Sequence, residues 1–297
     1  MDRRQFLISL GGLAALAGCA QTMPETTPTP TVTPTPKTVL KIWSGSTPVE
    51  RAVREVLAAA VVAADYEAET KDVVTDGVEA LMYELQADPL AMTLGFAGTM
   101  LDALPAVDEP PPPDELLATL AAAVEESATL LKTTPLDGKL VWAVLPETGL
   151  TSLAELKQWT APAPKTIGIS AAAGAKSDGY PALTVTYGAA LETVLIASPT
   201  NRAERLRSGE LDIAGFRACE SAELAGFTIL EDTLGLGESD PMVTMVNPAL
   251  PEAEPAAILA VTDALKKITP ENFAALEKAV AGGADAKVQA AAWLASH

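Results

Sequence analysis

Histidine is nearly absent from this chain, since His297 is the only one among 297 residues. A catalytic triad or a zinc cluster that depends on histidine therefore cannot be assembled. The sequence also lacks a Gly-x-x-x-x-Gly-Lys-Ser/Thr loop and a Gly-x-Gly-x-x-Gly pattern after a strand, which bind phosphates in many nucleotide enzymes. These absences argue against an enzyme, and we predict a protein that uses no cofactor and no metal.

Cysteine is almost as rare, with Cys19 and Cys219 the two in the chain. Cys219 has no histidine partner to activate it as a nucleophile, so a buried, inert thiol is the simpler interpretation. If Cys19 is modified, no intramolecular disulfide can form. Stability must then come from a hydrophobic core, which a chain of 48% hydrophobic residues can supply.

Basic and aromatic residues are also few. The chain has 20 Lys and Arg residues against 39 Asp and Glu residues, a net charge of −19, and 4% aromatic residues. Such a negative surface repels the phosphates of nucleic acids and the head groups of anionic lipids. We therefore predict no nucleic-acid partner and no electrostatic docking on a membrane.

The first residues have the pattern of an export signal. Arg3 and Arg4 precede an apolar run from Phe6 to Ala17, which is shorter than the about 20 residues that a membrane-spanning helix needs. A positive segment followed by a short apolar run is typical of a cleavable signal peptide, here residues 1–18. The paired arginines favour the Tat route, and an ordinary secretion signal that carries two arginines by chance is the alternative.

Leu16-Ala17-Gly18-Cys19 resembles the lipobox of bacterial lipoproteins, in which small residues precede an acylated cysteine. The alternative is a chance cysteine beside a simple cleavage site. The Thr- and Pro-rich segment that follows cannot bury apolar surface, so residues 19–37 are interpreted as the lipidated cysteine and an extended stalk, whose glycosylation stays open. These features predict a protein that acyl chains such as palmitate anchor to the extracytoplasmic face of the cell membrane.

From Thr38 onward, short apolar runs alternate with amphipathic segments, which predicts an α/β body with largely parallel sheets. The first predicted strand is Thr38–Trp43, and another is Val73–Val74. A turn is predicted at Gly98–Thr99 and a long helix at Glu115–Leu131. Ser152, with Glu155 at the capping-box position, predicts the start of a further helix.

Six motifs, taken in order, resemble those of a known family: the glycine betaine, carnitine and choline (osmoprotectant) binding proteins of ABC importers. The resemblance covers most of the body and is that of a divergent member. The motifs are Ile42-Trp43-Ser44-Gly45-Ser46, Phe96-Ala97-Gly98-Thr99, Pro135-Leu136-Asp137-Gly138-Lys139-Leu140-Val141-Trp142-Ala143-Val144, Ser177-Asp178-Gly179-Tyr180-Pro181-Ala182-Leu183 with Tyr187-Gly188, Leu206-Arg207-Ser208-Gly209-Glu210-Leu211-Asp212 and Ile229-Leu230-Glu231-Asp232.

The resemblance implies a type II periplasmic-binding-protein fold, in which two α/β lobes are joined by crossover segments and close over a ligand. It places lobe 1 at residues 38–136 plus 238–297 and lobe 2 at residues 137–237. The implied function is that of an extracytoplasmic solute-binding lipoprotein, which captures a small osmolyte-like solute in an interlobe cleft and delivers it to an ABC permease.

The departures from the family concern its ligand. The family binds a quaternary ammonium group with aromatic faces, mostly tyrosine, because the ring quadrupole attracts a cation. Here Phe96 replaces one such tyrosine, Leu140 stands where another is common, and Arg217 enters the segment that corresponds to Phe-Ser-Thr-Asp-Gly. An arginine repels a trimethylammonium group but can bind a carboxylate through two hydrogen bonds. We therefore expect that the fold is kept and that the ligand has changed.

The candidate ligand-binding residues are those that the resemblance places at the cleft: Trp43, Ser44, Ser46, Phe96, Thr99, Asp137, Lys139, Ser177, Asp178, Phe216 and Arg217. Each has a purely structural alternative, such as core packing for the aromatic residues or a helix cap for the serines. For Arg217 the alternative is an ion pair with Glu220 or another carboxylate.

A second function stays open, namely a surface lipoprotein of the same fold that has lost solute binding and has a structural or signalling role. The low aromatic content and the insertion at Pro110–Pro113 favour it. An extracellular enzyme is a third alternative, which the missing histidine and motifs oppose.

Overall fold

The structure, a computed structural model, describes residues 37–73, 77–104, 111–112, 114–131, 133–175 and 179–297. The predicted signal peptide, the predicted lipidation site Cys19 and the stalk up to Pro36 lie outside these residues, as do Ser177 and Asp178. Among the helices in these ranges, none has the length and apolar character that crossing a membrane requires.

Ten strands in the described ranges form two sheets of five strands each. Their bounds are β1 Val39–Ser44, β2 Glu67–Asp72, β3 Ala91–Phe96, β4 Thr129–Leu130, β5 Leu140–Val144, β6 Lys165–Ile169, β7 Leu191–Leu195, β8 Ile213–Arg217, β9 Thr228–Ile229 and β10 Met242–Val246. The strand order is β2-β1-β3-β10-β4 in the first sheet and β7-β6-β8-β5-β9 in the second. We call the part built on the first sheet lobe 1 and the part built on the second sheet lobe 2.

Helices cover the sheets. Their bounds are α1 Pro48–Ala63, α2 Gly77–Ala87, α3 Ala97–Asp102, α4 Leu116–Ala123, α5 Leu156–Thr160, α6 Ala171–Ala175, α7 Tyr180–Tyr187, α8 Pro199–Arg207, α9 Ser221–Leu224, α10 Leu250–Ala253, α11 Pro255–Lys267, α12 Pro270–Ala281 and α13 Ala286–Ser296. The start of α1 follows from local sequence: Thr47 and Glu50 form a capping box, and Pro48 occupies the first turn.

Lobe 1 buries its sheet on both faces. Leu40 and Ile42 of β1 pack on one face with residues of α1, α11, α12 and α13, whereas Trp43 and Met245 pack on the other face with residues of α2, α3 and α4. Every residue of β3 and of β10 is buried as a result. A central strand covered on both faces has a continuous apolar sequence rather than an alternating one.

Lobe 2 has the same layered design on a smaller scale. Trp142, Ile167 and Ile213 pack on one face of the second sheet with residues of α5 and α7. Ala214 and Phe216 pack on the other face with residues of α8 and α9. Since neighbouring side chains of β8 alternate between faces, the strand directs Phe216 into the core of lobe 2 and Arg217 elsewhere.

Two crossover segments join the lobes and run side by side. One precedes β5 and the other precedes β10, and they form an antiparallel bridge between Asp137 and Pro241. Within this pair, the backbone amide of Gly138 donates to the carbonyl of Asp240 at 2.7 Å, and that of Met242 donates to the carbonyl of Leu136 at 3.0 Å. The connection between the lobes is therefore itself a short two-stranded ribbon.

The structure confirms the predicted two-lobed α/β class, the strand near Thr38–Trp43 and the capping box of Ser152 with Glu155. The predicted lobe boundaries stay a prediction. Largely parallel sheets were expected, but β5 and β10 each pair antiparallel with their neighbours. Both strands follow a crossover segment, so they enter their sheets from the opposite end to strands that follow a helix.

Two local predictions were wrong, and a third falls partly outside the described residues. The helix expected over Glu115–Leu131 ends at Ala123, because a turn follows and Thr129–Leu130 then form β4, which pairs with β10. The strand expected at Val73–Val74 includes Val74, which lies outside the described residues, and Val73 follows the end of β2, an edge strand over Glu67–Asp72. Gly98 and Thr99 lie in the first turns of α3 rather than in a turn between elements.

Candidate functional site

The two lobes meet around the side chain of Arg217, at the end of β8. Its Nη1 atom donates to the carbonyl oxygen of Gly138 at 3.2 Å and to Oδ2 of Asp240 at 3.3 Å. Its Nη2 atom donates to Oγ1 of Thr99 at 3.2 Å, and its Cζ atom lies 4.0 Å from the centroid of the Phe96 ring. We call these five residues the interlobe cluster.

Asp240 is the buried acceptor of the interlobe cluster, with 2% of its surface exposed. It lies next to the start of β10 and accepts hydrogen bonds from the backbone amide of Gly98 at 2.6 Å and from Oγ1 of Thr99 at 3.2 Å. Because it also pairs with Arg217, its charge is compensated although it is removed from water.

The missing side chain of Gly138 leaves the space in which the side chains of Arg217 and Phe96 meet. A Cβ atom at position 138 would lie 2.5 Å from Nη1 of Arg217 and 2.5 Å from Cδ1 of Phe96. Real Cβ atoms do not approach other atoms so closely, so any side chain here would push the guanidinium group away from the ring.

Asp137 and Lys139 lie beside this cluster, in the crossover segment before β5. Oδ1 of Asp137 accepts from the backbone amides of Lys139 at 2.8 Å and of Asp240 at 2.7 Å, and Oδ2 accepts from the hydroxyl of Ser239 at 2.9 Å. The carboxylate of Asp137 thus ties the two crossover segments together. The side chain of Lys139 lies along Gly237 of the returning segment.

The three candidates at the end of β1 lie apart from the interlobe cluster. Trp43 is a core residue of lobe 1, and its ring faces Nζ of Lys71 at 5.5 Å. Ser44 is fully buried and accepts a hydrogen bond from Arg54 at 3.2 Å. Ser46 is exposed, and the cap of α1 is Thr47 rather than either serine.

Phe216 also lies away from the cluster, on the opposite face of β8. Its ring stacks on that of Phe227 with centroids 6.3 Å apart, and the guanidinium group of Arg202 lies 5.3 Å from its centroid. Of the eleven predicted ligand-binding residues, the structure therefore brings together Phe96, Thr99 and Arg217, with Asp137 and Lys139 adjacent.

Arg217 is not paired with Glu220 through its side chain. The carboxylate of Glu220 accepts from the backbone amide of Arg217 at 3.0 Å and pairs with Arg202 at 3.3 Å. Cys219, which follows nearby, is buried, and burial raises the pKa of its thiol well above the ordinary value. A neutral thiol is a poor nucleophile.

Sequence reasoning missed Asp240 and Gly138 as members of the interlobe cluster. Both lie in the crossover segments, whose residues meet only in the folded chain. A signal was present for Asp240: it precedes Pro241 and an apolar run, Met242–Val246, which has the composition of a buried strand.

No protein-family model matches the chain, and no curated protein matches it as a relative. Solved structures do match. A glycine betaine/carnitine/choline ABC transporter protein is similar with a TM-score of 0.69 and 16% identity, over 87% of this chain and 98% of that one.

Two further structures hold a ligand. The lactococcal protein OpuAC, in a closed-liganded conformation with glycine betaine, has a TM-score of 0.62 and 16% identity, over 88% of this chain and 96% of its own. An ABC-transporter choline binding protein in complex with choline has a TM-score of 0.59 and 15% identity, over 87% of this chain and 88% of its own. The chain therefore has the type II periplasmic-binding-protein fold in the form found in glycine betaine and choline binding proteins, as the resemblance of its motifs predicts.

Proposed function

We propose that this chain is the solute-binding component of an ABC importer and that it captures a small organic solute between its two lobes. The observation that supports the proposal is the junction between the lobes, where Arg217 of one lobe meets Phe96, Thr99 and Asp240 of the other beside two crossover segments. Two lobes joined in this way can open and close around a ligand. Proteins of the same fold have been solved with glycine betaine and with choline.

The solute is inferred to differ from a betaine. Phe96 and Leu140 stand where the resemblance expects tyrosines, and both are buried. The guanidinium group of Arg217 repels a trimethylammonium group, whereas it can bind a carboxylate through parallel hydrogen bonds. A solute that carries a carboxylate therefore fits this junction, and it would compete with Asp240 for Arg217.

A thermal-shift screen of the full-length chain tests solute capture. The probes are glycine betaine, choline, amino acids and small carboxylic acids, each against wild type and Arg217→Ala. A solute that binds only the folded protein stabilises it by about 2.7 kcal/mol when its concentration is 100 times its Kd. We expect a solute that carries a carboxylate but no quaternary ammonium group to raise the Tm of wild type and not that of the variant.

Two results would contradict the proposal. Tight binding of glycine betaine that Arg217→Ala leaves unchanged would refute the altered ligand. A protein whose Tm responds to none of these solutes would refute solute capture. That second outcome would support the alternative, a surface lipoprotein of the same fold with a structural or signalling role, which the internal pairing of Arg217 with Asp240 favours.

The location is part of the same proposal. The export signal and the lipobox pattern ending at Cys19 support a lipid anchor on the extracytoplasmic face. Cys19→Ser is expected to abolish incorporation of labelled palmitate and to move the protein out of the membrane fraction. Cys219→Ser is the matched control, because the thiol of Cys219 is buried against the core of lobe 1 and cannot take up the label. A Cys19→Ser protein that stays in the membrane fraction would contradict the anchor.

A further inference from the structure

Lobe 1 presents a buried subsite with the chemistry that an organic cation requires. Phe96 offers a ring face, Asp240 offers a carboxylate and Thr99 offers a hydroxyl oxygen. Phe96 and Asp240 each have only 2% of their surface exposed. A cation over a desolvated ring and beside a desolvated carboxylate gains more from both interactions than it would in water.

The chain fills this subsite with a side chain of its own other lobe. The guanidinium group of Arg217 lies over the Phe96 ring at 4.0 Å and reaches Asp240 at 3.3 Å and Thr99 at 3.2 Å. Arg217 belongs to the sheet of lobe 2, whereas Phe96 ends β3 and Asp240 lies just before β10 in the sheet of lobe 1. Each of these contacts therefore joins one lobe to the other.

The backbone around the guanidinium group is also adapted to it. Gly138 accepts a hydrogen bond from Nη1 through its carbonyl oxygen, and its missing side chain leaves room for both Arg217 and Phe96. Gly98 donates its amide to Oδ1 of Asp240, and a Cβ atom there would lie 3.2 Å from that same oxygen. The carboxylate is thus fixed in place independently of the arginine.

We infer that Arg217 is a tethered cation: its guanidinium group occupies an organic-cation subsite formed by Phe96, Thr99 and Asp240 and holds the lobes together without a solute. A ligand that is covalently attached to the opposite lobe acts at a high effective concentration. It therefore shifts the equilibrium between open and closed lobes toward the closed form. The inference deepens the proposed function, because it states which class of solute cannot use this subsite in the wild-type chain.

The inference predicts that a chain without the tethered cation accepts a free one. Arg217→Ala removes the guanidinium group that pairs with Asp240, and a small guanidinium ion can then enter the space. The experiment uses the full-length chain and methylguanidinium chloride as the probe, with urea as a neutral molecule of similar shape and sodium chloride as the ionic-strength control. The readouts are the Tm and the radius of gyration from small-angle X-ray scattering.

We expect Arg217→Ala to have a lower Tm and a larger radius of gyration than wild type. Millimolar methylguanidinium should reverse both changes in a saturable manner, whereas urea and sodium chloride should not. Wild type should show no such response, because its subsite is filled. If Arg217→Ala is unfolded without additive, recovery of the folded state on adding methylguanidinium is the same test.

Two further variants separate a subsite from a general effect of the ion. Arg217→Ala combined with Asp240→Asn should bind methylguanidinium about tenfold more weakly, because the charged partner is gone. Arg217→Met fills the space over the ring with an apolar chain and should abolish the response. The inference is overturned if methylguanidinium affects wild type and Arg217→Ala equally, or if Asp240→Asn does not weaken the rescue.

The outcome is separable from that of the proposed function. A failed rescue would leave solute capture by wild type untouched, since that is measured with wild type and with other solutes. Conversely, a wild-type chain that binds no solute would not affect a successful rescue of Arg217→Ala.

Discussion

Oε2 of Glu277 in α12 accepts a hydrogen bond from the backbone amide of Ala222 in α9 at 3.2 Å. Since α12 packs in the core of lobe 1 and α9 packs in that of lobe 2, a carboxyl group of one lobe binds a helix of the other. Glu277 is 1% exposed, the carboxyl groups of Glu220 and Glu223 lie on the facing segment, and the cations Arg202 and Arg217 lie near Glu220. Three buried acidic groups therefore share one interlobe contact.

This contact makes stability depend on pH. Burial, and then the charge of Glu223, raises the pKa of Glu277 from an ordinary 4.5 to about 8. Between these values the folded chain holds a proton that the unfolded chain has released, so the free energy of unfolding falls as pH rises from 4.5 to 8. The slope from one such group is about 1.4 kcal/mol per pH unit.

Glu277→Gln should remove this dependence, because glutamine is neutral and still accepts from Ala222. Urea denaturation across the same pH window is expected to show a variant that matches wild type at the acidic end and is more stable at the alkaline end. Glu271→Gln is the control: it lies exposed on the same helix, and hydrogen bonds to the backbone lower the pKa of Glu271. A stability difference between wild type and Glu277→Gln that does not change with pH would contradict the prediction.

Arg202 and Glu220 form a buried ion pair whose loss should be costly. Each residue is 3% exposed, and burial lowers the pKa of Arg202 and raises that of Glu220. Removing one partner of a buried pair typically costs about 3–5 kcal/mol, because the other is left uncompensated. Arg202→Met should therefore approach that loss. Glu220→Gln should cost less, since Arg202 keeps its bonds to the carbonyls of Ile196 and Ala197.

The double variant Arg202→Met with Glu220→Gln is expected to lose less stability than the sum of the two single variants, because neither member of the pair is left as a buried charge without its partner. Denaturation of wild type and the three variants completes the thermodynamic cycle. If the stability losses of the two single variants add up to that of the double variant within experimental error, the two charges do not depend on each other and the prediction is contradicted.

Periodicity and capping residues in the sequence were sufficient to predict most of the helices and strands. The capping boxes of α1 and of the segment after Ser152 depend on residues three positions apart, so they are visible in the sequence. Elements that form only because they pair with strands far away in the chain could not be predicted. Residues Thr129–Leu130 leave the helical pattern of their neighbours to pair with β10, which lies more than a hundred residues further on.

The candidate site likewise contains residues that the sequence predicted and a pairing that it could not predict. The resemblance located Phe96, Thr99 and Arg217, which the structure brings into contact. It could not show that Asp240 is the partner of Arg217, because pairing across a lobe junction depends on the antiparallel ribbon of the two crossover segments. The strand neighbours Phe216 and Arg217 were both candidates, but alternation along β8 sends only one of them to the junction.

Tyr187 holds the segment that returns from lobe 2 toward lobe 1. Its hydroxyl donates to Oδ1 of Asp232 at 2.5 Å and accepts from the backbone amide of Leu234 at 2.9 Å, and Oδ2 of Asp232 accepts from the amide of Gly237 at 2.8 Å. Tyr187→Phe removes a partly buried hydrogen bond to a charged group, and we expect the free energy of unfolding to fall by about 1.5 kcal/mol. Hydrogen exchange at Leu234 and Gly237 should also accelerate.

Tyr180→Phe is a matched control for Tyr187→Phe. The hydroxyl of Tyr180 donates to the carbonyl oxygen of Leu191 at 2.9 Å, at the start of β7. Its loss should affect exchange near that edge strand and leave Leu234 and Gly237 unchanged. Equal acceleration at these two amides in both variants would mean that the effect reflects general loss of stability rather than release of the returning segment.

Asp137 offers the sharpest distinction between a ligand-binding residue and a residue of the interlobe connection. Its carboxylate accepts three hydrogen bonds, all from the two crossover segments. A residue that acts through the connection changes the equilibrium between open and closed lobes, and such a change scales the affinity for every solute by the same factor. A residue that contacts the solute changes affinity selectively.

We therefore expect Asp137→Ala to lower the Tm and to weaken the binding of chemically different solutes by the same factor. Ser239→Ala, which removes one of the three hydrogen bonds, should show a smaller effect of the same kind. Titration calorimetry with two solutes from the screen measures these affinities. A loss of affinity for only one of the two solutes would indicate that Asp137 contacts the solute directly.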